Sequence, residues 1–391
     1  MQQTIPHHVQ TGLEVVLETG LPQLQGKRVG LVTNATGADR RLQSTVDLLM
    51  ADERIQLRAL FGPEHGIRGD AQAGVEVEEA LDQRTGLPVY SLFGSTRRPT
   101  PHMLKDLDAL IYDIQDVGVR YYTYIATLLY VQEAAAQAGL EFVVLDRPNP
   151  LGGTQIDGNL LDPAFTSFVG IYPIPIRHGL TSGELARLFA AEHNWPEPTV
   201  ISMRGWRRDL WFDETDLPWL QASPNLPTLD SVTLYPGTCL FEGTSCSEGR
   251  GTTRPFECVG APGLDPFQLV AELNRRDIPG VAFRPIYFTP TFSKRAQQTC
   301  GGVQVHILDR NSIQAVELGL HLLHAVRGLL GPAFTWIQGK ENNTYFADLL
   351  FGSDKPRLAF NAGAEVAEIL AGWEQQSADF RARRRPFLLY E

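Results

Sequence analysis

Cysteine is scarce in this chain and never paired at close spacing. Cys239, Cys246, Cys258 and Cys300 form no Cys-x-x-Cys motif, which argues against a zinc ribbon. The first three lie near enough in sequence for one disulfide, but buried free thiols are the expectation for so small a set. No stretch approaches the roughly 18 apolar residues of a membrane-spanning helix. The start, MQQTIPHHVQTGLEVVLETG, has no basic segment, no long apolar segment and no small-residue cleavage site. As given, the chain therefore reads as cytoplasmic, with no insertion into a membrane. Positive charge is also short, since 34 Lys and Arg stand against 45 Asp and Glu and leave a net charge of −11. That balance argues against nucleic acid as a partner, because neutralising phosphates takes clustered cations, and it lends nothing to binding an anionic membrane. Three glycine signatures are missing as well: G-x-G-x-x-G after the first strand, G-x-x-x-x-G-K-[ST], and G-x-S-x-G. Their absence weakens dinucleotide, P-loop and α/β-hydrolase readings.

What is present is a rhythm of strands and helices. The chain has 391 residues, enough for two domains or for one large domain with a smaller companion. Strands are predicted at 28–34, 55–61, 87–92, 109–113 and 141–146, with helices at 45–51 and 121–138, the latter closed by Gly139. Ile174 to Arg177 reads as extended. Thr181-Ser-Gly-Glu184 is a capping box that opens a further helix, and a short strand follows at 199–203. Alternation of this kind predicts an α/β fold with a mostly parallel sheet and helices on both faces. The breaker-rich segment Ser223-Pro-Asn-Leu-Pro-Thr228 marks the boundary between residues 1–228 and a smaller α+β domain, 229–391, that closes the cleft. In that second part strands are expected at 232–235, 281–287 and 302–307. Helices are expected at 266–275, 313–330 and 364–374. No internal repeat is visible.

Parallel sheets bind ligands at the carboxyl ends of their strands. Four of those ends carry polar residues: Asn34 in the first loop; Glu64, His65, Arg68 and Asp70 in the second; Asp113, Asp116 and Arg120 after the fourth strand; Asp146, Arg147 and Asn149 after the fifth. Glu64 stands out, because Gly62, Pro63 and Gly66 confine its backbone and leave room for a ligand. It suits a general acid, and the competing reading is an ion pair with Arg68 or a helix cap. His65 either tunes Glu64 or binds a metal, and no His-x-His or His-x-x-x-His pattern accompanies it, so no metal is expected. Asp113 should point into the crevice. Asp116 is equally an Asx-turn or cap residue. Tyr122 and Tyr124 can stack on a sugar face or simply pack. Arg177 and His178 precede the capping box, where a cation could hold an anion. Glu184 is assigned to the cap itself. The run Leu240–Glu257 is rich in glycine, acids and arginines, so Glu242, Glu248, Arg250, Thr252 and Arg254 are candidates to close over the cleft.

The segments Gly30-Leu-Val-Thr-Asn34, Phe61-Gly-Pro-Glu-His-Gly66, Asp113-Ile-Gln-Asp-Val-Gly-Val-Arg-Tyr-Tyr-Thr-Tyr124, Asp146-Arg-Pro-Asn-Pro150 and Glu242 to Glu257 resemble the NamZ-like exo-β-N-acetylmuramidase family, in order and over nearly the whole chain. The resemblance implies a Rossmann-like first domain. It also implies a glycosidase without cofactor that releases N-acetylmuramic acid from the non-reducing end of peptidoglycan-derived saccharides. It maps the family's glutamate onto Glu64 and leaves Asp113, Asp116, Glu242 and Glu248 competing for the second role. Two carboxylates about 5–5.5 Å apart would retain configuration and about 6.5–9.5 Å would invert it, and the sugar's own N-acetyl group can replace the second. The lactyl carboxylate of the substrate calls for an arginine, with Arg120, Arg147, Arg177 and Arg250 as candidates. Family members are typically exported, in contrast to the start of this chain. Two other readings use the same residues: a metal-dependent phosphate hydrolase around Asp113, and a non-catalytic cell-wall sugar-binding protein. Oligomeric state leaves no mark in the sequence.

Overall fold

The computed structural model describes residues 7–69, 71, 72, 74, 75, 80–339 and 344–391, so Asp70 lies outside the described residues. Its strands are β1 Arg28–Thr33, β2 Gln56–Gly62, β3 Ala80–Leu81, β4 Pro88–Ser91, β5 Ala109–Asp113, β6 Glu141–Leu145, β7 Asp157–Leu160, β8 Pro175–Arg177, β9 Thr199–Ile201, β10 Cys258–Ala261, β11 Val281–Phe288 and β12 Cys300–Ile307. Seven of them form one sheet in the order β3-β4-β2-β1-β5-β6-β9. All pairings in it are parallel except that of the short edge strand β3. β1 and β5 lie at the centre and are buried almost throughout, which explains their unbroken apolar runs.

Alternation along the strands divides the core into two layers. Val29, Leu31, Ile111 and Val143 face the helices Gly12–Thr19 and Thr45–Met50. Val32, Leu110, Tyr112 and Val144 face the helices Tyr124–Ala138 and Ser182–His193. This second layer continues without a break into the C-terminal region, through Val232, Leu240, Val303, Leu322 and Phe351. That region holds a three-stranded antiparallel sheet, β10-β12-β11, with the long helix Ala315–Leu330 packed nearby.

One expected element is corrected. Residues 232–235 are not a strand but part of the helix Leu229–Thr238, capped by the Thr228 hydroxyl, which accepts from the Ser231 amide at 3.1 Å. The segment is buried throughout, so no polar face betrays its period. The extended segment before the capping box, β8, pairs with β7 in a two-stranded ribbon outside the main sheet. In the glycine-rich run after Leu240, Phe241, Thr244, Cys246, Ser247, Glu248 and Phe256 are all buried. The four cysteines are free and buried.

Candidate active site

β1 has β2 on one side and β5 on the other, so the crevice between the loops after β1 and β5 is where an open α/β sheet would ordinarily seat its ligand. Here it is filled. Arg147 enters from the loop after β6 and grips Asp113, Nε to Oδ1 at 2.5 Å and Nη2 to Oδ2 at 2.9 Å, while donating to the Ala38 carbonyl at 3.0 Å. Thr45 donates its hydroxyl to the same Asp113 carboxylate. The space left between these loops is about 20 Å³, too small for a sugar. Asp113 is wholly buried and does not point into an open crevice, and the oxygens a metal would need are taken by a guanidinium.

The open cleft lies to one side and measures about 930 Å³. Loops after β2, β4 and β5 form one wall, with Glu64 and His65, Phe93 and Arg97, and Tyr121 to Thr123. Residues 166–169, with Ser223, Asn225 and Leu226, extend it. The C-terminal region supplies Tyr235, Glu242, Glu248, Arg250, Phe256, Lys294, Phe346 and Leu350. Three glutamates therefore share one cavity. Glu242 pairs with Arg250 at 2.6 Å. Glu248, 1% exposed, lies 3.4 Å from Arg250 Nε and 2.8 Å from Lys294 Nζ. Burial works against the charge of Arg250, but these two glutamates outweigh it and hold the guanidinium's proton more firmly than usual.

Glu64 differs from the other two. Its Oε1 accepts from the Gly74 amide at 2.9 Å and its Oε2 from the Thr123 hydroxyl at 2.6 Å. Neither donor is charged, and among the described residues no cation forms an ion pair with Glu64; Arg68 pairs instead with Asp82. Thr123 immediately precedes the helix Tyr124–Ala138, so the carboxylate sits by that helix's first turn. His65 adopts a left-handed backbone, φ 73°, and its Nδ1 bonds the Ala71 carbonyl at 2.6 Å. Because a carbonyl only accepts, Nδ1 carries the proton. Burial pushes the imidazole below its ordinary range, with the Glu64 charge opposing. Phe256 and Ser293, also on the cleft wall, have φ 63° and 67°. Left-handed backbone at residues with side chains is strained and tends to gather at working sites.

The remaining candidates build the frame instead of lining the cleft. Asn34 donates to the Tyr124 hydroxyl at 2.7 Å, and Tyr124 donates to the Ala222 carbonyl at 2.9 Å, behind the Glu64 loop. Tyr122 does line the cleft and donates to the same carbonyl at 2.6 Å. Asp116 accepts from the Gly118 amide at 2.6 Å, the Asx-turn alternative, and burial pushes its carboxyl up to about 7. Arg120 is buried and, among the described residues, donates only to backbone carbonyls, those of Asn159, Ile174, Leu350 and Phe351. Asp146, pushed up to about 6 by burial, accepts from Thr181, Gly183 and Tyr390. Asn149 donates to the Leu180 carbonyl at 3.0 Å. Arg177 binds Gln155 and the Leu151 carbonyl beneath Trp211. His178 is buried beside several arginines, and burial first, then their charge, pushes it down to about 3. Thr252 donates to the Gly249 carbonyl at 2.6 Å, and Arg254 pairs with Glu257 at 3.0 Å. Glu184 completes the capping box, as expected, and binds Arg208 at 2.5 Å.

Sequence reasoning missed Thr123, Arg97, Phe168 and Lys294. Thr123 carried a usable signal, a hydroxyl residue directly before a periodic run. The other three owe their place to chain segments far apart in sequence.

An α/β sheet whose customary crevice is plugged, beside a carboxylate-lined cleft walled by a C-terminal region, defines a distinct class of two-part proteins. Residues 29–230 match the model of the family described as "Exo-beta-N-acetylmuramidase NamZ, N-terminal", and residues 233–390 match its C-terminal counterpart. The chain belongs to the NamZ family. It is 48% identical over 383 residues to the peptidoglycan β-N-acetylmuramidase NamZ of Bacillus subtilis strain 168, covering 98% of this chain and 91% of that protein. Two crystal structures of DUF1343-family proteins from Bacteroides fragilis are also similar. One has a TM-score of 0.90 at 39% identity and the other 0.77 at 32%, each match covering 98% of this chain and 99% of the other.

Proposed function

We propose that this chain is an exo-acting glycoside hydrolase that releases N-acetylmuramic acid from the non-reducing end of peptidoglycan fragments, with Glu64 as its general acid/base. The observation that carries the reading is the contrast among the three cleft glutamates. Ion pairing favours the charged form of a carboxylate, so a group that must carry and return a proton is best left without a cation. Glu242 and Glu248 are bound to Arg250 and Lys294, whereas Glu64 is held by an amide and a hydroxyl. Those two uncharged donors also fix its direction, and placement matters as much as acidity. His65, neutral and anchored through Nδ1, lies beside it with Nε2 as its acceptor.

Residues 1–228 then carry the catalytic glutamate, and residues 229–391 supply the opposing wall with Glu242, Glu248 and Arg250. The Glu242–Arg250–Glu248 cluster organises the sugar and its developing charge. Asp113, Asp116, Asp146, Arg147 and the other framework residues keep the loops in register and stay out of contact with substrate.

The decisive variant is Glu64→Gln, which keeps the shape and removes the proton. With the disaccharide N-acetylmuramyl-β-1,4-N-acetylglucosamine and mass analysis of products, the parent releases both monosaccharides. Glu64→Gln releases them at least about 10³-fold more slowly, the upper part of the range for general acid–base catalysis. A folded Glu64→Gln protein working at the parental rate would remove Glu64 from the chemistry.

A further inference from the structure

The cleft contains a cation that the glutamates do not use. Of the arginines expected to hold the substrate's carboxylate, Arg120, Arg147 and Arg177 are buried away from the cleft. Arg250 does line it but is already engaged by Glu242 and Glu248, and Lys294 by Glu248. Arg97 is different. It is exposed on the cleft wall, and among the described residues it forms no ion pair with a carboxylate. Its neighbour Arg98, by contrast, is paired with Glu133 at 2.9 Å.

Arg97 is nevertheless held in place. Its guanidinium carbon lies 4.0 Å from the centre of the Phe168 ring and 5.5 Å from that of Phe93. The two rings are 5.7 Å apart and so form a shelf under the cation. A guanidinium stacked on aromatic faces loses part of its hydration yet keeps its N–H edge free, and that edge matches the two oxygens of a carboxylate.

We propose that Arg97, on the Phe93–Phe168 shelf, binds the lactyl carboxylate of the muramyl unit and thereby sets the preference for muramic acid over glucosamine. The assignment rests on the muramidase reading. The two sugars differ only by the lactyl ether, so a single carboxylate-reading cation is enough to tell them apart.

The test is a cycle on both partners. Chromogenic β-N-acetylmuramide is compared with its lactyl methyl ester, a neutral analogue of nearly the same shape, in the parent, Arg97→Ala and Arg97→Lys. The parent favours the acid over the ester by about 10- to 100-fold in kcat/KM, the worth of a charge-assisted bidentate contact. In Arg97→Ala this preference falls below about 2-fold, because the ester has nothing left to lose and the two changes are not additive. Arg97→Lys retains part of it. Phe168→Leu, which leaves the charge but removes the stack, weakens it by about 2- to 5-fold. A parent without acid preference, or an Arg97→Ala protein that keeps the parental preference, overturns the assignment. A parent that cleaves neither compound, nor the natural disaccharide, overturns the muramidase reading instead, so the two failures are distinguishable.

Discussion

A threonine just ahead of a helix ordinarily turns its hydroxyl onto the helix's own amides. Thr123 turns it onto Glu64. The Gly74 amide can only donate, but a hydroxyl can donate to a carboxylate or accept from a carboxylic acid. Thr123 can therefore follow Glu64 through both protonation states while holding its direction. Thr123→Val, isosteric but without the hydroxyl, should lower kcat by about tenfold and leave KM within about twofold, because on the role proposed for Glu64 the bond serves the acid/base and not the substrate. Thr123→Ser should restore most of the rate. Steady-state kinetics on the chromogenic muramide decide it, and equal losses in Val and Ser would assign Thr123 a packing role only. At this scale the sequence was readable where a residue's neighbours constrain it. Glu64 is marked by its glycines and proline. Arg97 is not marked at all, because Phe168, the ring beneath it, lies 71 positions further along the chain (168 minus 97).

Among the elements, the strands of the main sheet are legible because central parallel strands are buried on both faces and read as plain apolar runs. The same rule misleads at Val232 to Tyr235. A helix buried on every side is also a plain apolar run, and four residues are too few to show a period. The helix Leu229–Thr238 is buried so closely that Gly237 lies against Gly319 of the helix Ala315–Leu330. A Cβ on Gly237 would stand 1.9 Å from the Ala315 carbonyl oxygen. Backbone cannot yield as a flexible side chain would. Gly237→Ala should cost about 2–3 kcal/mol in urea unfolding, the range for overpacking a core. A change under about 0.5 kcal/mol would mean that the two helices can slide apart. Glu242 begins four residues after this helix ends, so the same variant should also blunt activity.

Across the whole molecule, the N-terminal sheet and the C-terminal region share one continuous layer of core, and Arg120 is a polar bolt through it. Its guanidinium joins carbonyls of Asn159 and Ile174 to those of Leu350 and Phe351. Leu350 also lines the cleft, so the bolt ties part of that wall to the N-terminal region. Burial lowers Arg120 to about 9, the cost of a cation with no carboxylate beside it among the described residues. A lysine ammonium cannot reach all four carbonyls. Arg120→Lys should destabilise the protein by about 2–5 kcal/mol and raise KM, read by denaturant unfolding and kinetics on one preparation. Unchanged stability would show that the carbonyls find other partners.

The sequence by itself determined the α/β class, the parallel sheet, the capped helices and the prominence of Glu64. Each follows from contacts along the chain or from the burial period of one element. Only the tertiary structure decided which strand-end loops line the open cleft. Four looked equivalent, yet Arg147 on Asp113 seals the crevice between β1 and β5, and the cleft opens instead beside β2. A buried ion pair and an open cleft are written in the same residue types. Which of the two a carboxylate and an arginine make depends on the distance between them, and across many residues of chain that distance is a property of the fold alone.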